Sequence, residues 1–332
     1  MSGEDVPYQL RPNKFIDRGL FMDLLSRLLP SLGTDKYVYV LMGGRHLIEH
    51  TAVYRQIGIT NLFSFDLDDN VVLRQKFNRP IDSAVCEGMN SGKLPGKLDT
   101  IMAQFPDATN VVIWLDFTNP NDRLTQLQEL VEVAKRLQPG DILRISINAN
   151  LTTLDEGSSK WKDLRFPGPG EYRAACLKRQ LGDFVPATLD AIGESDFPSI
   201  LSECVSLAFS KAEDVVRTNV FKPLLLTTYR DGQRMMTATC VVARSSERSS
   251  EVPGLGGWQF LPANWSDVLA INAPDLSLRE KLKIDERLSK TAKVVLDHLG
   301  FLPAKNEAKS IEAIASYQKL HRYYPAFHHI EA

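Results

Sequence analysis

Three acids and a pair of glycines stand where apolar runs of this chain end. Gly43 and Gly44 follow the run 36–42, Asp66 closes the run 61–66, and Glu87 closes a short one near 83–87. Asp116 closes the run 110–116, with Thr118 and Asn119 just beyond it. A glycine has no Cβ, so backbone there can lie against a ligand, or simply turn sharply from strand into helix. Asp66 could accept hydrogen bonds from a ribose diol, or cap the helix after it, as Asp68 and Asp69 could equally do. Glu87 could meet an adenine amino group or stand as a solvated loop acid. An acid that ends an apolar strand must be solvated or hydrogen-bonded. Asp116 could therefore orient a reacting group, or bond its own loop through Thr118 and Asn119. Trp114 and Phe117 read as core rather than as stacking platforms.

A second constellation competes for attention. His46-Leu-Ile-Glu49-His50 fits H-x-x-E-H, the inverted zinc-hydrolase pattern, and histidines at i and i+4 share a helix face. It opens the first helix after a glycine turn, and five residues with three fixed positions also arise by chance. The expectation is a polar helix start without metal. A dinucleotide (NAD) oxidoreductase would also use a glycine turn and a later acid. Residues 45–48 here lack the further glycine of that fingerprint.

These residues need a frame. Apolar positions at helical spacing over 14–30 predict a first helix closed by Pro30 and Gly33. Strand–helix alternation follows: strands 37–42, 61–66, 83–87, 110–116 and 141–148, with helices near 45–57, 69–77, 97–104 and 122–137. Continuous apolar strands separated by helices predict a parallel, doubly wound sheet covered on both faces. Helices are expected near 170–182 and 196–215, within an insertion at about 151–216. Runs 221–230 and 234–244, joined by Asp231-Gly232, predict a terminal antiparallel hairpin. Residues 245–257 read as a linker by composition. A C-terminal helical appendage, 257–332, has helices near 277–299 and 308–321 and an aromatic and histidine tail from Tyr323 to His329.

The 332 residues suffice for one large core or two modest ones. A formal net charge of −2 advertises no global field for nucleic acid, though a local basic groove stays open. Hydrophobic residues make up 43% and charged residues 24%, the balance of an ordinary globular protein. The four cysteines form no C-x-x-C pair and read as buried thiols. No signal-peptide pattern and no membrane-length apolar run is seen, so the cytoplasm is the expected address. Basic residues at 11, 14 and 18, and again over 279–287, alternate with acids and read as solvated helix faces.

The order of elements over residues 36–245 resembles that of class I S-adenosylmethionine-dependent methyltransferases, whose doubly wound sheet ends in an antiparallel strand. Asp66-Leu-Asp-Asp resembles that family's ribose-binding strand end. Asp116-Phe-Thr-Asn-Pro120 resembles the segment that flanks its methyl-transfer site, and Ser146-Ile-Asn-Ala-Asn its fifth strand end. The family's first loop reads acid-x-Gly-x-Gly; here Leu41 stands at the acid and Arg45 at the second glycine. The resemblance implies S-adenosylmethionine bound by Gly43, Gly44, Asp66 and Glu87. It also implies Asp116 as catalytic residue and Thr118 and Asn119 near the acceptor. The expected layout is an N-terminal arm, 1–35, a methyltransferase-like domain, 36–245, and the appendage. The leading function is methyl transfer to an unspecified acceptor. The alternative is an inactive methyltransferase-like scaffold that grips a protein partner through 151–216 or 257–332.

Overall fold

The computed structural model describes residues 11–29, 33–154 and 160–325. The chain forms two compact units. One comprises Met22–Leu226 and Met235–Leu269; the other comprises Met1–Phe21, Thr227–Arg234 and Ala270–Ala332. The expected boundaries at residues 36 and 245 rest on the order of elements, and that at 257 on linker composition.

The first unit carries nearly all of the sheet. Strands β1 (Tyr37–Met42), β2 (Asn61–Asp66), β3 (Val85–Gly88), β4 (Asn110–Asp116) and β5 (Ile142–Asn148) pair in parallel. A hairpin of β6 (Asn219–Asp231) and β7 (Gln233–Arg244) follows, and β7 runs antiparallel to β5. With the short β8 (Leu269–Ala270), the spatial order is β3-β2-β1-β4-β5-β7-β6-β8. The expected doubly wound sheet with a terminal antiparallel hairpin is the observed one. The hairpin turns at Gly232, whose φ of +103° suits glycine and few other residues.

Strand periodicity places alternate residues on opposite faces. On one face Val40, Phe63, Ile113, Leu143 and Ala238 enter a single apolar core. That core also takes in Leu98 of α4 (Leu94–Met102), Leu130 of α5 (Arg123–Ala134) and, past the short α6 (Lys160–Asp163), Leu177 of α7 (Pro169–Leu181) and Phe209 of α8 (Phe197–Val215). Each Val, Ile, Leu or Phe among them contributes about 1.5–3 kcal/mol by leaving water. The helical insertion therefore shares the core of the sheet and is not a free-standing lobe. The opposite face is more polar: Ser64, Arg144, Ser146, Thr237 and Thr239 are all buried. Trp114 is fully buried, donates from Nε1 to Ser146 Oγ at 2.9 Å and stacks 4.5 Å from the Arg144 guanidinium, so it belongs to the core as expected. All four cysteines are free and buried.

Helix α1 is Pro12–Leu28, and Pro30, expected to close it, lies outside the described residues. Its Asp17 and Arg18 are buried instead of forming a solvated face. Thr227 Oγ1 donates to Asp17 at 2.5 Å and Arg18 donates to Tyr229 Oη at 3.1 Å. The helix expected over 45–57 is shorter and irregular. Helix α2 (Ile48–Ala52) runs into a π-turn, Val53–Ile57, that ends at Gly58. Leu47 takes a left-handed conformation (φ 48°) just before it. That conformation costs about 1–2 kcal/mol. Burying Leu47 beside Val72 and Cys86 offsets it.

The stretch 245–257, expected to be a linker, is exposed over 245–251 but tied down at its end. Leu255 is buried, as are Trp258 and Phe260 just past it, and Trp258 Nε1 donates to Asp23 at 2.7 Å. In the second unit, the expected helix 277–299 is two: α9 (Leu278–Asp285) and α10 (Ala292–Leu299). Thr291 caps α10, and Gln318 of α11 (Glu307–Leu320) donates to the Leu288 and Lys290 carbonyls in the break, at 3.3 and 2.8 Å. Of the aromatic tail, Tyr324 packs edge-on against Tyr317, and its hydroxyl bonds Pro274 O at 2.9 Å. Residues 326–332 lie outside the described residues. Among the described residues no helix is long and apolar enough to cross a membrane.

Candidate functional site

Parallel pairing sends the carboxyl ends of β1 to β5 to one edge. Met42 pairs with Phe65, Leu41 with Trp114, and Asp66 with Gly88. Continued by one or two residues, the same register sets Gly43 between Asp66 on one side and Asp116 on the other. Neighbouring strands lie about 4.8 Å apart. The residues singled out in the sequence thus share one rim, where open α/β sheets bind ligands.

The two glycines do different things. A Cβ on Gly43 would lie 2.2 Å from Ser64 Oγ, 2.9 Å from Leu47 Cδ2 and 3.2 Å from His50 Cε1. Gly43 therefore lets α2 settle against the sheet. A Cβ on Gly44 would meet nothing within 4 Å. Gly44 is the exposed position with open space before it.

Asp66 is half-buried, and its Oδ1 accepts from the Asp68 N–H at 2.8 Å. Helix α3 (Asp69–Asn78) is capped by Asp68, which accepts from the N–H groups of Asn70 at 2.8 Å and Val71 at 3.3 Å. The capping role open to Asp66 thus falls to Asp68. Glu87 pairs with Lys97 of α4 at 2.9 Å, with both side chains partly exposed. Such a pair contributes about 0–1 kcal/mol, so it holds Glu87 only weakly.

Asp116 ends β4 half-buried, opposite Ser146 of β5. Thr118 is exposed, and its carbonyl accepts from Asn148 Nδ2 at 3.1 Å. Asn119 spends its side chain on the turn, accepting from Asn121 N at 3.1 Å and donating to Asp122 at 2.6 Å. Its carbonyl accepts from Gln126 Nε2 at 2.7 Å.

Arg123, at the start of α5, went unremarked in the sequence. It is fully buried and meets no carboxylate among the described residues. It donates to Asn148 O from Nε at 3.0 Å and from Nη2 at 2.8 Å, to Thr153 Oγ1 at 2.7 Å and to Gln180 Oε1 at 3.2 Å. Burial lowers its pKa to about 10. Gln180, on α7, also donates to Pro120 O at 2.9 Å. One cation thus ties the β4 loop, the β5 end and the insertion together. No local pattern announces it, because its partners lie 25 to 57 residues away. Gln75 and Asn78 of α3 were also missed; they bond the carbonyls of Gly43 and Arg45 at 2.5 and 2.8 Å.

The two histidines of the H-x-x-E-H segment diverge. His46 is exposed, and its Nε2 accepts from Arg45 Nε at 3.3 Å. His50 is buried with Nε2 3.1 Å from Phe63 O, and burial lowers its pKa to about 4. Among the described residues no three histidines, cysteines or acids gather as a metal site would require. An open groove of about 380 Å³ flanks the loop, lined by His46, Leu73, Arg74, Phe77 and Asn78. Neither Gly43 nor Asp66 lines it.

The strand order and the rim of glycines and acids define a class I methyltransferase fold. The sequence matches, over residues 6–332, the family described as "Putative O-methyltransferase", and the chain belongs to that family. No curated protein matches it. Among solved structures it is similar to Trm1 from Pyrococcus horikoshii, solved with S-adenosyl-L-methionine: 9% identity, 69% of this chain and 54% of that one, TM-score 0.45. This chain thus spans about half of that protein's length. It is also similar to the N-methyltransferase NodS from Bradyrhizobium japonicum, at 9% identity over 68% and 96% of the two chains, TM-score 0.33. An O-methyltransferase family protein from Burkholderia thailandensis gives 11% identity over 66% and 55%, TM-score 0.32.

Proposed function

We propose that the protein transfers a methyl group from S-adenosylmethionine to an oxygen nucleophile. Family membership supports the reaction class, and the register that lines up Gly43, Asp66 and Asp116 on one rim is the observation that carries the reading. When bound, the donor supplies an activated methyl on a sulfonium. The chain's task is to align that methyl with the acceptor, because in-line displacement depends more on positioning than on strong acid–base help.

In this reading the open face at Gly44 admits the donor. Asp66 and Glu87 receive its ribose and adenine, and the weak Glu87–Lys97 pair yields at small cost. Asp116 stands on the far side of Gly43 from Asp66, where it takes the proton of an acceptor hydroxyl. The insertion helices shape the acceptor side, which the bonds from Gln180 and Arg123 to the β4 loop and β5 end support.

Calorimetry with S-adenosylmethionine tests this. Micromolar binding by the wild type that is lost in Asp66→Ala is the expected result. Absence of binding, together with a stable heteromeric complex in pulldown, would favour a binding subunit instead.

A further inference from the structure

We infer that Gln75 and Asn78 are positioning residues that aim the loop Gly43–His46 at the methyl donor. The inference rests on the donor reading above and goes on to say what holds that loop in shape.

The loop offers no acid or second spaced glycine of its own between Leu41 and His46. Its shape is imposed from α3. Gln75 is fully buried, and its Nε2 donates to Gly43 O at 2.5 Å. One turn later, Asn78 Nδ2 donates to Arg45 O at 2.8 Å. Residues three apart on a helix share a face, so one side of α3 holds both carbonyls. Between them, Gly44 O accepts from Leu47 N at 3.1 Å. Three successive carbonyls are therefore engaged on the protein side.

Peptide planarity supplies the consequence. In a trans peptide the C=O and the following N–H point in opposite directions, and no cis peptide occurs among the described residues. Fixing the carbonyls of Gly43 and Arg45 on α3 turns the N–H groups of Gly44 and His46 away from that helix. Backbone N–H groups turned to one side form a concavity for an anionic oxygen. The donor's amino-acid carboxylate is the group of matching chemistry. Gly44, with open space at its Cβ position, lets that group approach.

The test replaces each amide by its isosteric acid. Gln75→Glu and Asn78→Asp retain shape but set a carboxylate against a carbonyl. The donor's dissociation constant is measured for wild type and variants by calorimetry at pH 7.5 and 5.5, with the wild type as control at each pH. The expected result is at least tenfold weaker binding at pH 7.5, with much of the gap to wild type closing at pH 5.5, where a protonated carboxyl donates again. Gln75→Met, which cannot donate at any pH, should show no recovery. Binding by the variants within twofold of wild type overturns the clamp, as does an equal loss at both pH values that tracks a fall in Tm. If Gln75→Glu does not fold, Asn78→Asp, at a half-buried position, carries the test. No binding by the wild type at all overturns the donor reading itself, and the clamp with it.

Discussion

The guanidinium of Arg123 donates twice to the main-chain carbonyl of Asn148, and no acid lies beside it among the described residues. A buried cation on neutral acceptors is an unusual choice, since desolvation opposes the charge. What it gains is reach. A single side chain also meets Thr153 and Gln180 and lies 5.4 Å from the Phe197 ring. Arg123→Ala strips partners from at least three acceptors and opens a cavity. We expect a loss of about 3 kcal/mol in urea denaturation. Hydrogen exchange should accelerate first in α7 and α8 and much less in β1 and β2. Uniform acceleration would mean that Arg123 supports the whole sheet and not the insertion.

Gly43 and Gly44 are adjacent yet should respond in opposite ways to the same change. Alanine at 43 sets a methyl 2.2 Å from Ser64 Oγ and 2.9 Å from Leu47 Cδ2, inside a packed layer. Overpacking of this kind costs about 1–3 kcal/mol, read as a lower Tm. Ser64→Gly in the same chain should restore part of it. Alanine at 44 meets no protein atom within 4 Å, so Tm should hold within a degree or two. Its methyl would instead occupy the donor's path and weaken S-adenosylmethionine binding about tenfold. Equal Tm losses at both sites would contradict this division.

The sheet was legible because its signals are local. Apolar runs, the Asp231-Gly232 turn and the helix-spaced segments each carry their own period. The same is true of the rim, since Asp66 and Asp116 announce themselves by ending apolar strands. What escaped depends on partners distant in sequence. Near 286–291 the only local mark of a helix break is the cap residue Thr291, and Gln318 holds the carbonyls of the break from another helix. Residues 245–257 read as a linker by composition, but Leu255 is buried and Trp258, just past them, meets Asp23, 235 residues away. Arg123, Asp17 and Arg18 carry charges that a sequence reading sends to the surface. The early turn at Leu47 hides in a residue type that seldom adopts φ > 0.

His50 makes the fold acid-sensitive. Its Nε2 faces the Phe63 carbonyl, so Nε2 carries the proton, and Nδ1 is buried with no hydrogen-bond partner among the described residues. Burial lowers the folded pKa to about 4 from the usual 6.5. The unfolded chain then binds more protons between those values, so stability rises with pH across the window. The contribution is complete above about pH 6.5 and is lost as pH falls toward 4, on the order of 3 kcal/mol in all. Urea unfolding at pH 7.0 and 4.5 should show a smaller difference in His50→Gln than in the wild type. Parallel pH profiles for the two proteins would remove His50 as the source.

Asp116 separates binding from turnover. It ends β4 beyond Gly43 from Asp66, which in the proposed reading is the acceptor's side of the rim rather than the ribose side. Asp116→Asn keeps the shape and deletes the base. S-adenosylmethionine affinity should stay within about threefold of the wild type. Transfer of a labelled methyl group to the oxygen acceptor should fall by about 10²–10⁴, the range for a lost general base. The rate should also respond to the acceptor's own acidity: a phenol ionises more readily than an alcohol and needs less help, so the penalty should shrink for it. A variant that loses donor binding and turnover in the same proportion would show that Asp116 holds the β4 loop in place instead of taking a proton.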